Sequence, residues 1–198
     1  MSAKTGISVE EYLHAIFPDL DREYRDGELV ERSLPDYLHG KTQLLLAAFF
    51  AALRKRLSIF PCTETRMKVR AGRYMIPDLA VFWPAEPQGV PETPPLVAIE
   101  ILSLDDRLSE VREKLEEYKT WGVAHVWLVD PHSRRMYTCE VGLVETQLLN
   151  ISELGMEVSG GDIFDWAFTS GGPPPIRKTA PCGRGSVRKR CGAEAVRC

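Results

Sequence analysis

Tyr74-Met-Ile-Pro-Asp-Leu-Ala-Val-Phe82 and, after a loop, Leu96-Val-Ala-Ile-Glu-Ile-Leu-Ser103 are the two runs whose reading decides the fold. Each is apolar and β-branched enough to be a buried strand, and each carries one carboxylate where such a strand ordinarily has none. A buried, unpaired carboxylate is costly, so Asp78 and Glu100 each require a hydrogen-bonding partner, a cation or an opening to solvent. Placed on adjacent strands, the two can share one cation.

The segments on either side supply a layered frame. Between the two runs, residues 84–95 contain five prolines, which marks an irregular surface excursion. Downstream, Asp105 or Asp106 is positioned to cap a helix over Arg107–Trp121. Leu108, Val111, Leu115 and Tyr118 form its apolar stripe, and Gly122 ends it. His125-Val-Trp-Leu-Val-Asp130 follows as another buried strand. Strand, helix and strand in that order predict a right-handed crossover, with Leu96–Leu102 and Val126–Val129 as parallel neighbours. Arg135–Val141 and Leu143–Leu149, turned at Gly142, extend the edge antiparallel. Ile163-Phe-Asp-Trp-Ala-Phe168 is the last apolar cluster and is expected to pack back onto the sheet.

Upstream, Ser8-Val-Glu-Glu11 is a capping-box pattern for a short helix, and Asp26-Gly27 between two short runs is the strongest hairpin signal in the chain. His39–Leu57 reads as a long helix whose Leu, Ala and Phe content predicts burial on nearly all sides. Thr65–Val69 reads as a strand that turns through Ala71-Gly-Arg73 into the first of the two decisive runs.

Composition fits an ordinary globular protein of 198 residues, with 44% hydrophobic and 27% charged side chains. The longest apolar run, Leu44–Leu53, is far short of the roughly 20 residues of a spanning helix, so no membrane association is expected. The N-terminus lacks a secretory pattern, which sets a reducing, cytoplasmic location as the default. Cys62, Cys139, Cys182, Cys191 and Cys198 have neither a disulfide framework nor zinc spacing and read as free thiols. The net charge of −3 is divided: residues 169–198 carry +6, which leaves −9 on the rest. An acidic body argues against tight non-specific nucleic-acid binding, because phosphate neutralisation supplies most of that affinity. The boundary falls at Gly171-Gly-Pro-Pro-Pro175, with residues 1–168 as the domain and 169–198 as a basic, disordered tail.

Over roughly residues 8–168 the chain resembles the PD-(D/E)XK nuclease superfamily, and most closely its Uma-type, restriction-endonuclease-like branch. The resemblance rests on an ordered set. It runs through Glu23 with Asp26-Gly-Glu-Leu29, His39 opening a helix, Ile76-Pro-Asp78, Val97-Ala-Ile-Glu-Ile-Leu-Ser103, Lys114 with Tyr118, Gly122-Val-Ala-His-Val-Trp-Leu-Val-Asp-Pro131 and Asp162-Ile-Phe164. It implies an α/β fold with a central mixed β-sheet flanked by helices, plus antiparallel edge strands. It also implies a metal-dependent endonuclease acting on DNA, with Mg²⁺ as cofactor and Mn²⁺ as substitute. Asp78, Glu100 and the main-chain carbonyl of Ile101 would be the ligands, with Glu23 as a further ligand, direct or through water. Lys114 would be the electrostatic stabiliser. In the superfamily's Glu-X-Lys pattern the lysine would fall at 102, which here is Leu102, and Lys114 is the candidate for its migrated counterpart. Members of this kind are often homodimers.

Other readings stand beside this one. A nuclease fold that has lost its chemistry would serve as a binding or assembly module, which the acidic body and Leu102 favour. A hydrolase of another phosphate ester would differ only in substrate. His39 reads as a helix-start or hydrogen-bonding residue, and His125 and His132 carry no assigned role. Trp83, Trp121, Trp127 and Trp166 are too scattered for a base-stacking platform.

Overall fold

The computed structural model describes residues 6–18, 22–165 and 177–178. Helix α1 (Val9–His14) starts at the expected capping box. Ser8 Oγ accepts from the Glu11 amide at 3.1 Å, and the Glu11 carboxylate accepts from the Ser8 amide at 2.8 Å. Strands β1 (Glu23–Arg25) and β2 (Glu28–Val30) form the expected hairpin, with Asp26 and Gly27 at φ 48° and 97°. A two-residue turn with both φ values positive matches the strand twist.

Helix α2 (Tyr37–Leu57) is capped by Asp36, whose carboxylate accepts from the His39 amide at 2.8 Å. His39, Thr42, Leu46, Phe49, Phe50 and Leu53 make its buried face. The expectation of burial on nearly all sides is corrected: Leu44 is 61% exposed, and Ala51 and Ala52 face solvent. Alanine counts as apolar in a sequence, but it forms helix well and costs little when exposed.

Next come β3 (Phe60–Thr63), β4 (Met67–Arg70), β5 (Arg73–Met75), β6 (Leu79–Phe82) and β7 (Val97–Ile101). Helix α3 (Leu108–Trp121), β8 (His125–Asp130), β9 (Arg135–Glu140), β10 (Gly142–Thr146), β11 (Leu148–Ile151), β12 (Met156–Ser159), α4 (Gly160–Phe164) and β13 (Arg177–Lys178) complete the order. The central sheet runs β10-β9-β8-β7-β6-β3 and is mixed, since β7 and β8 pair in parallel and its other neighbours are antiparallel. Smaller antiparallel sheets run β2-β1-β5-β4 and β11-β12-β13.

Four sequence expectations change here. The run Tyr74–Phe82 is two strands in two sheets: Pro77 has no N–H to give a ladder, and the Ile76 amide goes to Glu23 Oε1 at 3.1 Å. Strand β3 was not expected, and it tolerates Pro61 because it lies at the sheet edge. The Leu143–Leu149 run breaks at Gln147, which divides β10 from β11. Asp106 does not cap α3. Its carboxylate accepts from the Ser103 amide at 2.7 Å, and Arg107 stands at the cap position without a side-chain capping bond.

The α2 face, with Ile163 and Phe164 of α4, packs on Leu79, Val81, Val97, Ile99, Ile101, Trp127 and Val129. Full burial of side chains of this size stabilises by about 1.5–3 kcal/mol each. On the opposite face Leu115 and Tyr118 of α3 pack against Ala98, Val126 and Leu128. Cys62 and Cys139 are free thiols. No helix among the described residues is long and apolar enough to cross a membrane. Of the stretch read as a disordered tail, only Arg177–Lys178 are described, as a strand beside β12. Its remainder, with Cys182, Cys191 and Cys198, lies outside the described residues, as do Trp166 and Phe168.

Candidate active site

The geometry begins with register. Leu79 pairs with Ile99 across the antiparallel β6 and β7, so Asp78, one residue before β6, comes opposite Glu100. Asp78 Oδ2 accepts from the Ile101 amide at 2.7 Å, which fixes its carboxylate beside β7. Its Oδ1 accepts from Arg32 Nη2 at 2.9 Å, and His39 Nε2 stands 3.6 Å away, a charge contact beyond hydrogen-bond reach. Ser103 Oγ lies 2.9 Å from His39 Nδ1, which accepts from the hydroxyl when Nε2 carries the proton facing Asp78.

Glu100 points to the α3 side of the sheet. Its Oε1 accepts from the Tyr118 hydroxyl at 2.8 Å and its Oε2 from Lys114 Nζ at 2.9 Å. The spacing of Lys114 and Tyr118, one helical turn, brings both donors to one carboxylate. Lys114 Nζ also donates to Glu23 Oε1 and to the Ile76 carbonyl, each at 2.9 Å, so all three of its protons are engaged. Glu23 Oε2 pairs with Arg73 Nη1 at 3.0 Å, and Arg73 Nε donates to Glu117 at 2.5 Å. Arg73 is 1% exposed, a buried cation that survives because two carboxylates flank it.

These contacts set the protonation. Burial pushes the Glu100 carboxyl up to about 8; Lys114 opposes the rise, and the neighbouring Asp78 and Glu23 carboxylates add to it. Burial also works against charge on Asp78, but His39, Lys114 and Arg32 outweigh it and hold the carboxyl below its ordinary value. Glu23 is likewise lowered, with Lys114 and Arg73 overcoming its burial. Lys114 is raised despite its own burial by Glu100, Glu23 and Asp78.

The sequence-predicted residues Asp78, Glu100, Lys114 and Glu23, together with Ile101, therefore lie together. They line an open cleft of about 720 Å³ between the β1–β2 hairpin, α2 and the start of α3. Among the described residues no group of three or more His, Cys, Asp or Glu side chains is arranged to hold an ion. The candidate donors are the Asp78 and Glu100 carboxylates and a main-chain carbonyl, with the Glu23 carboxylate beside them; every oxygen of the three carboxylates has a protein partner that a cation would have to displace or share. Hard oxygen donors of this number fit Mg²⁺ or Mn²⁺, which complete their shells with water and phosphate oxygens.

The sequence assigns no role to Arg32, Arg73 or Ser103, and it places Tyr118 both in the apolar stripe of its helix and beside Lys114 in the family order. Tyr118 and Lys114 carry a usable signal, since two hydrogen-bonding side chains four apart flank one stripe. Arg32 sits between β2 and α2, where no periodicity marks it.

The fold matches that of a crystal structure described as a putative nuclease belonging to DUF820 from Anabaena variabilis ATCC 29413. The TM-score is 0.66 at 22% sequence identity, over 81% of this chain and 98% of that one. The α/β architecture, with the mixed six-stranded sheet at its centre, is thus shared with that structure. No curated protein matches the chain. Residues 9–170 match the Uma2 family model, described as "Putative restriction endonuclease", and the chain belongs to that family.

Proposed function

We propose that this chain is an endonuclease that hydrolyses DNA phosphodiester bonds with a divalent cation, Mg²⁺ or in its place Mn²⁺. The observation that carries the reading is the convergence of Asp78, Glu100 and Lys114 at the floor of one open cleft, from three separate elements. The family description and that of the structural neighbour support a nuclease function.

In this reading Asp78, Glu100 and the Ile101 carbonyl hold the cation. When bound, such a cation activates a water and offsets charge on the phosphate. The Ile101 amide fixes one Asp78 oxygen, so that carboxylate is oriented before any ligand arrives. Burial raises the proton affinity of Glu100, so a bound cation would compete with a proton for this carboxyl group. Glu23 and the Ile76 carbonyl restrain the Lys114 ammonium beside Glu100, where its charge stabilises the negative charge that builds on the phosphate oxygens. Arg73 acts through Glu23 as a positioning residue.

A second reading, a binding module without catalysis, draws on one observation. The cleft is lined by seven carboxyl groups against four Lys and Arg side chains, a poor surface for bare phosphate. Calorimetric titration of Mg²⁺ and Mn²⁺ into wild type, Asp78→Asn and Glu100→Gln, followed by incubation of each with supercoiled plasmid, separates the two. Metal binding and nicking by wild type with loss of both in the variants is the expected result. Folded wild type that neither binds metal nor nicks plasmid, with both variants as stable as wild type, would favour the binding module instead.

A further inference from the structure

Asp78 already has a cation. Arg32 Nη2 donates to Asp78 Oδ1 at 2.9 Å, and Nη1 pairs with Glu64. Only 12% of the Arg32 side chain is exposed, against 4% for Asp78 and 43% for Glu64, so the deeper partner of the guanidinium is the carboxylate assigned to the metal. The other Asp78 oxygen is fixed by the Ile101 amide. Oδ1 is therefore the oxygen that a divalent cation and Arg32 must contest. A guanidinium keeps its proton under all ordinary conditions, so the contest is settled by movement and not by titration.

Arg32 also lines the same cleft. Once Oδ1 is taken by a metal, Nη2 loses its acceptor, and the guanidinium keeps only the more exposed Glu64 on Nη1. The anion that can restore the pairing is one brought into the cleft with the metal. A phosphodiester oxygen suits the planar fork of a guanidinium, which binds phosphate bidentately.

We propose that Arg32 exchanges partners: it neutralises Asp78 in the metal-free protein and binds a substrate phosphate in the metal-loaded one. This rests on the metal reading given above. The exchange also addresses the acidic cleft, because loading with metal both adds positive charge and releases a guanidinium that was internally consumed. Metal and substrate binding are then coupled through one side chain, each favouring the other, as linkage requires.

The test uses the full chain as wild type, Arg32→Met and Arg32→Lys, with thermal melts confirming that each is folded. Mg²⁺ binding is measured by calorimetry, and binding of a short DNA duplex is measured by fluorescence anisotropy in Ca²⁺, chosen to limit cleavage. Arg32→Met is expected to bind Mg²⁺ about tenfold more tightly than wild type and the duplex about tenfold more weakly, with Arg32→Lys between them in both. Unchanged or weaker Mg²⁺ binding in Arg32→Met overturns the competition. Tighter Mg²⁺ binding with unchanged duplex binding overturns the phosphate half, and with it the exchange. If no variant and no wild-type sample binds Mg²⁺, the metal reading itself fails and the exchange fails with it, an outcome distinct from the other two.

Discussion

The two faces of β7 are made from five consecutive residues and do different things. Val97, Ile99 and Ile101 enter the core under α2 among apolar side chains alone. Ala98 and Glu100 face α3, where Glu100 meets a lysine, a tyrosine and two further carboxylates. One face gains free energy by excluding water. The other holds a carboxyl whose charge is unfavourable until a cation answers it. A strand interior is rigid on both faces, so the apolar side supplies the positional precision that the polar side needs.

The polar face is expected to break most severely at Lys114. Lys114→Met removes the one ammonium shared by Glu100 and Glu23 and leaves buried carboxylates behind, for an expected loss of about 3–5 kcal/mol in urea unfolding of the metal-free protein. Loss below about 1 kcal/mol would mean that the pairing contributes little. The apolar face is next. Ile99→Ala opens a cavity at a fully buried position and is expected to cost about 2–5 kcal/mol. At a temperature where that variant is folded, its DNA cleavage is expected to persist. Smaller again, Tyr118→Phe deletes one hydrogen bond to Glu100 and is expected to cost about 1–3 kcal/mol, with the Glu100 proton held more tightly.

The pH dependence sharpens the contrast because only one face titrates. With Glu100 raised to about 8 from its ordinary 4.5, the folded protein binds one more proton than the unfolded chain between those values. Stability from this group is therefore full below about 4.5 and declines as pH rises toward 8. Asp78 and Glu23 are shifted the other way, so their contribution is present at neutral pH and is lost only in acid. Melting curves in metal-free buffer should fall gently from pH 5 to 8, and Glu100→Gln should flatten that slope. An identical slope in the variant would reject the raised Glu100. In the same window, apparent metal affinity should climb with pH and level off above 8, because metal and proton compete for one carboxylate.

Much of this division was legible in the sequence. Asp78 and Glu100 announced themselves as lone carboxylates in apolar runs, and the parallel pairing of β7 with β8 followed from strand, helix and strand. Lys114 was legible from its place on the flank of the α3 stripe together with the family order. What escaped was set by tertiary partnership. Arg32 and Arg73 look like surface arginines until the fold seats each against carboxylates far away in sequence, at Asp78 and at Glu23 and Glu117. The break at Pro77 escaped as well, because a proline that ends one strand and begins another in a second sheet looks locally like a proline within one strand.

Unfolding and plasmid nicking measured on the same preparations of Glu100→Gln and Ile99→Ala test the separation of the two faces most directly. Glu100→Gln is expected to lose nicking while keeping its stability within about 1 kcal/mol of wild type. Ile99→Ala is expected to lose stability while its folded fraction still nicks in Mg²⁺. Nicking by Glu100→Gln at the wild-type rate, or a destabilisation as large as that of Ile99→Ala, would contradict the assignment of chemistry to one face of β7 and folding to the other.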